Sequence, residues 1–173
     1  MTATILPDRT EAAEYYFTYI DQVSRDTDIR KILETQLDET LALLAPISDA
    51  KSLHRYAPGK WSIREVVSHL NDSERVFTYR ALWFARGFDS PLPSFDQDIA
   101  VAGAGADARP WRSHVEEFRA VRGATLHLFQ NMSGDAWARR GIASEKPFTV
   151  RALAYITAGH VTHHTRILRE RYL

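Results

Sequence analysis

AGHVTHHTRIL, residues 158–168, is the stretch on which the reading of this chain turns. It carries His160, His163 and His164 in a segment whose apolar residues recur at helical spacing. On a helix of 3.6 residues per turn, positions four apart lie one above the other, so the rings of His160 and His164 can converge on one point. The same face carries Leu153, Ile156, Thr157, Ile167 and Leu168. A histidine pair in line with an apolar stripe points into a core rather than into solvent. Two imidazoles at this spacing are the start of a metal site; the plainer alternative is a pair of core-edge histidines bonded to backbone carbonyls.

Outward from that segment the pattern is helical almost throughout. Pro147 and Thr149 introduce the last helix, which is expected to run nearly to Leu173, with Arg166, Arg169 and Arg171 near the end that favours cations. The first long helix is expected from Arg25, with Asp26 or Thr27 as cap, Ile29, Leu33, Leu37, Leu41 and Leu44 inside, and Pro46 as stop. The second has the clearest local signal. Ser62 caps, Glu65 closes a capping box, and Trp61 can staple onto Val66. Its inner stripe is Ile63, Val66, Val67, Leu70, Phe77 and Phe84, with His69 on the border and Gly87 as the stop. A third helix is expected from Pro110 to Met132, followed by one further turn at residues 135–139. Four amphipathic helices without a convincing hairpin argue for an all-α four-helix bundle.

Residues 1–24, with Tyr15, Tyr16, Phe17, Tyr19 and Ile20, read as an amino-terminal arm on the domain surface, and residues 25–173 as the bundle of a single domain. Between the second and third helices lies a long connector, FDSPLPSFDQDIAVAGAGADARP, residues 88–110. A connector of this length in a compact domain is disordered or functional, and its FDQD segment favours function.

Lys and Arg together number 22, as do Asp and Glu, and no basic stripe stands out, which argues against nucleic acid as a partner. The absence of cysteine excludes disulfides, zinc-thiolate sites and a thiol nucleophile of the chain's own. No run of about 18 apolar residues and no leader pattern are present, so the expectation is a soluble cytoplasmic protein without membrane contact.

A metal in this chain must be held by His, Asp or Glu. Facing helices of a bundle can deliver His69 together with His160 and His164, and three neutral imidazoles leave coordination positions open, as catalytic sites do. Such nitrogen ligands suit zinc or nickel, with copper, iron or manganese as further candidates.

KWSIREVVSHLNDSER (60–75), FDQD (95–98) and VRALAYITAGHVTHHTRILRERYL (150–173) resemble the DinB-like superfamily, which includes the YfiT-type metal-dependent hydrolases. The resemblance spans nearly the whole chain. It implies a DinB/YfiT-like bundle of up-up-down-down type, a divalent metal on His69, His160 and His164, and a homodimer. Bacillithiol transferases and mycothiol-dependent maleylpyruvate isomerase are similar in architecture, which implies a low-molecular-weight thiol as cosubstrate and S-transfer to a small electrophilic substrate. Metal-dependent hydrolysis and a non-catalytic, stress-related metal-binding module are the other readings.

Other polar groups are candidates for supporting roles. Asp72 and Arg80 follow His69 on roughly one side of the second helix, and Asp72 or Glu74 could orient a ligand ring or accept a proton. Arg80 or Arg75 could receive a carboxylate. Asp96 and Asp98 could close over the metal, or simply cap a turn. His163 falls between the paired histidines and belongs behind the ligands or toward solvent. His54, His114 and His127 have no partner at ligand spacing and receive no role, and Tyr56, Trp61, Trp83 and the amino-terminal tyrosines read as packing residues.

Overall fold

The computed structural model describes residues 5–173. Residues 1–4 of the expected arm lie outside the described residues. The long helices are α2 (Ile29–Leu44), α4 (Ile63–Ala85), α6 (Trp111–Gln130) and α7 (Val150–Ile167). Shorter ones are α1 (Phe17–Ile20), α3 (Asp49–Ser52) and α5 (Gln97–Ala104). A π-helical turn, Leu168–Tyr172, extends α7.

α4 packs against α6 and α7, and α2 packs against the same two, so the bundle closes as a ring in the order α2, α6, α4, α7. The long helices that follow each other in the chain, α2 and α4, therefore sit across the diagonal. This arrangement fixes which faces meet: α4 and α7, which carry the histidines, are neighbours.

Local signals account for the helix ends. The Ser62 hydroxyl accepts from the Glu65 amide at 3.1 Å while the Glu65 carboxylate accepts from the Ser62 amide at 2.8 Å, the reciprocal box read from the sequence. A cap of this kind stabilises by about 1 kcal/mol and sets the phase of the helix that places His69. α7 starts at Thr149, whose hydroxyl accepts from the Ala152 amide at 3.0 Å. α2 starts later than expected: Asp28, rather than Asp26 or Thr27, is the cap, and it also binds Arg30. α6 opens with Pro110 as cap and ends two residues before Met132.

A hairpin that the sequence reading did not anticipate precedes α7. β1 (Arg140–Ala143) pairs antiparallel with β2 (Lys146–Thr149), and Ser144 and Glu145 turn with φ of 51° and 60°. Two successive positive φ values give the turn the twist that short hairpins need. Ser-Glu lacks the Asn-Gly or Asp-Gly signature, so nothing local announced it. The connector is pinned to this hairpin, since the Leu92 amide donates to the Ile142 carbonyl at 2.9 Å and the Ser144 amide donates to the Leu92 carbonyl at 3.1 Å. Farther along, the connector forms α5 instead of an open loop.

The amino-terminal segment is also more than a surface arm. Phe17, Tyr19 and Ile20 are buried against α7. A Cβ added to Gly159 would collide with the Tyr19 carbonyl, so only glycine lets α1 approach α7 this closely.

At the centre of the bundle a buried polar network touches all four long helices. Arg122 of α6 donates from Nε and Nη2 to the two carboxylate oxygens of Glu74 on α4, each at 2.8 Å. Its Nη1 donates to the Gln36 side chain at 2.8 Å and to the Leu33 carbonyl at 3.1 Å, both on α2. Gln36 in turn donates to the Ala158 carbonyl at 2.9 Å and the Thr162 hydroxyl at 3.0 Å on α7. Every charge in it is matched, which is what a buried ion pair requires.

Candidate metal centre

α4 contributes His69 and α7 contributes His160 and His164. One ring nitrogen from each lies within 4.8 Å of the others. His69 Nε2 and His160 Nε2 face each other at 3.0 Å, and the ring centroids of His160 and His164 are 4.5 Å apart, as stacking one turn apart requires. His69 and His160 are buried and His164 partly so.

Aromatic neighbours hold the rings in place. Trp61 lies against His69 with centroids 4.9 Å apart, and Tyr19 and Phe77 meet His160 edge-on at 5.2 Å and 5.6 Å. Ser73, one turn after His69, brings its hydroxyl to 3.4 Å from His69 Nδ1, leaving Nε2 directed at the other histidines.

Burial pushes the pKa of His69 down to about 4 and, with His69 and His163 as further causes, that of His164 to about 3. Burial first, and then the neighbouring histidines, lowers His160 as well. All three are therefore neutral at physiological pH and present lone pairs rather than positive charge. Convergent neutral imidazole nitrogens fit a divalent transition ion: with metal–nitrogen bonds of about 2.0–2.1 Å, tetrahedral ligand atoms lie about 3.3 Å apart. His69 Nε2 and His160 Nε2, at 3.0 Å, already stand near that spacing.

His69 and His160 form part of the wall of a cavity of about 230 Å³. Tyr15, Tyr16 and Tyr19 line one side, and Ser73, Arg80, Gln97 and Ser144 supply polar groups. The sequence reading anticipated only Arg80 among these polar residues. Ser73 stood at helical spacing from His69, and Gln97 stood inside FDQD, so each had a local signal. Tyr19 and Ser144 had none, because they reach the cavity through packing of α1 and through the hairpin turn.

The remaining candidates lie elsewhere. Asp72 sits beside Arg75 at 3.5 Å, and its pKa is raised by burial. Arg75 is also paired with Glu117 of α6 at 2.8 Å, so Asp72 faces the α6 side of α4. Glu74 is engaged by Arg122. Asp96 caps α5, its carboxylate accepting from the Asp98 and Ile99 amides at 2.9 Å and 3.1 Å, and Asp98 is exposed. Neither aspartate of FDQD lines the cavity; Gln97 between them does. His163 is half-exposed, with its ring 5.5 Å from Tyr19 and 5.1 Å from His164.

The sequence profile of the DinB superfamily matches residues 32–168, which is most of the chain and includes all three histidines. The chain belongs to the DinB superfamily. Solved structures agree with the DinB fold. YfiT from Bacillus subtilis, described as a probable metal-dependent hydrolase with an unusual four-helix bundle topology, superposes with a TM-score of 0.71 at 18% identity, over 86% of this chain and 87% of that one. The mycothiol-dependent maleylpyruvate isomerase superposes with a TM-score of 0.70 at 10% identity, over 85% of this chain but 61% of that one. No curated protein matches this DinB-superfamily member. No helix among its described residues is long and apolar enough to cross a membrane.

Proposed function

We propose that this DinB-superfamily chain is a metal-dependent enzyme in which His69, His160 and His164 hold one divalent transition ion and a small thiol is activated for transfer to a small electrophile. The convergence of three neutral imidazole nitrogens, two of them from residues that line the cavity, His69 and His160, carries this reading. Zinc or nickel fits the nitrogen donors best, with iron and manganese also compatible. A bound ion of this kind lowers the pKa of a coordinated water or thiol toward neutrality.

The chain's own residues supply position and environment. Ser73, Trp61, Tyr19 and Phe77 hold the ligand rings, and Tyr15, Tyr16 and Tyr19 line the cavity beside them. Arg80, the one charged residue among the described residues that line the cavity, is assigned the substrate contact in this scheme, and Asp72, Asp96 and Asp98 receive no step, because none lines the cavity. With no cysteine in the chain, the sulfur arrives with the cosubstrate. The likeness to an isomerase named for its dependence on mycothiol favours a thiol over water as the activated group. The reading includes a cytoplasmic homodimer, and light scattering tests the dimer.

The deciding assay offers the protein, loaded in turn with zinc, nickel, iron and manganese, a small thiol and a chromogenic aryl halide. Turnover that needs both metal and thiol supports the proposal. Ester hydrolysis that needs metal but no thiol would replace it with the hydrolase reading. Metal bound without either activity would leave a binding module.

A further inference from the structure

Three arginines are buried among the described residues: Arg64, Arg80 and Arg122. Arg122 is paired with Glu74 and Arg64 with Asp49. Arg80, only 3% exposed, has no carboxylate partner among the described residues. Its Nη2 donates to the Pro93 carbonyl at 3.1 Å and to the Ser144 hydroxyl at 3.0 Å, and among the described residues no other hydrogen bond involves its guanidinium. Both acceptors are neutral, so the charge is oriented without being neutralised. A buried, unmatched cation is unfavourable, and the group that would match it belongs in the cavity that Arg80 lines.

We propose that this cavity contains a carboxylate subsite: Arg80 receives the carboxylate of a small organic ligand whose other end faces His69 and His160. The fork of a guanidinium matches the two oxygens of a carboxylate, and Nε and Nη1 have no hydrogen-bond partner among the described residues that would compete for that contact. The site is built rather than incidental. Pro93 comes from the connector and Ser144 from the hairpin turn, and the connector is itself bonded to that turn, so two non-helical segments converge to hold one side chain of α4. At about 230 Å³ the cavity has room for the carboxylate end and short body of a small organic ligand. The tyrosine wall suits an unsaturated or short aliphatic body. The far end of the ligand rests on the metal reading above, whereas the carboxylate contact does not.

The carboxylate can come from the thiol or from the electrophile, and the tests separate them. In metal-free protein labelled with nitrogen-15, propionate is titrated while the arginine Nε–H signals are followed, with propionamide as the uncharged control. A saturable shift of the Arg80 signal, assigned by its loss in Arg80→Lys, is expected with propionate alone. No saturable shift, or the same response to propionamide, overturns the proposal. In cobalt-loaded protein, 3-mercaptopropionate is expected to bind about tenfold more tightly than 2-mercaptoethanol, and Arg80→Lys to shrink that preference to about twofold at unchanged cobalt content. Equal binding of the two thiols, while propionate still shifts Arg80 and binds together with 2-mercaptoethanol, assigns the carboxylate to the electrophile. Preference for the carboxylated thiol with displacement by propionate assigns it to the thiol. Failure to take up cobalt would defeat the metal reading alone, and the propionate titration would still decide this one.

Discussion

Arg122 and Glu74, 48 positions apart in the sequence and on different helices, are joined by two parallel hydrogen bonds at full burial. Removing one member leaves the other charged and without its partner in the core. Arg122→Ala is therefore expected to lower stability by about 3–5 kcal/mol in urea denaturation. A loss under about 1 kcal/mol, within the range of an exposed pair, would show that the network does not hold the bundle.

Gly159 and Gly123 make a matched test. Both are helical, but a Cβ at Gly159 meets the Tyr19 backbone, whereas a Cβ at Gly123 meets nothing within 4 Å. Gly123→Ala is expected to stabilise by roughly 0.5–1 kcal/mol through helix propensity. Gly159→Ala is expected to destabilise by about 1–3 kcal/mol through overpacking. It should also displace Tyr19 from His160, since α1 must move. Calorimetry on the two variants reads the difference in sign, and equal effects would remove the case for the close approach.

The histidines give the metal-free protein a defined pH response. Unfolded, each takes up a proton near pH 6.5; folded, burial holds His69 to about 4 and His164 to about 3, with His160 lowered as well. Below pH 6.5 the unfolded state therefore binds more protons, so stability is fully present above pH 6.5 and is lost as pH falls toward 4 and then 3. Urea midpoints measured from pH 8 to pH 4.5 should decline below 6.5. In a variant with His69, His160 and His164 all replaced by Gln the decline should be shallower, and an identical slope would contradict the burial argument.

Metal content distinguishes the three clustered histidines from their neighbour His163 on α7. Protein purified without chelator or nickel affinity is expected to hold about one equivalent of a transition metal by elemental mass spectrometry. His160→Ala with His164→Ala should abolish it, while His163→Ala should keep it, because His163 stands outside the cluster. Retention in the double variant would place the ion elsewhere.

The cluster was legible in sequence because α4 and α7 each announce themselves locally. The Ser62 capping box sets the phase of α4 and hence the side to which His69 points, and the four-residue spacing of His160 and His164 stacks them on α7. The bundle reading, in which facing helices deliver ligands, joined His69 to that pair and the family resemblance implied the same set, while the packing of α4 on α7 is contained in neither segment. Arg80 was singled out on charge and spacing, but its lack of a carboxylate partner and its Pro93 and Ser144 contacts needed the connector and hairpin in place.

What the sequence determined by itself was therefore local: helix identity, helix ends and the histidine pair, all set by hydrogen bonds and periodicities that span a few residues. Tertiary structure alone decided the ring order that makes α4 and α7 neighbours, the Arg122 network, the burial of Tyr19 against His160, and the hairpin that brings Ser144 to Arg80. These contacts join residues tens of positions apart. Each exists only once many weak apolar contacts have closed the bundle around it, so no short stretch of sequence encodes them.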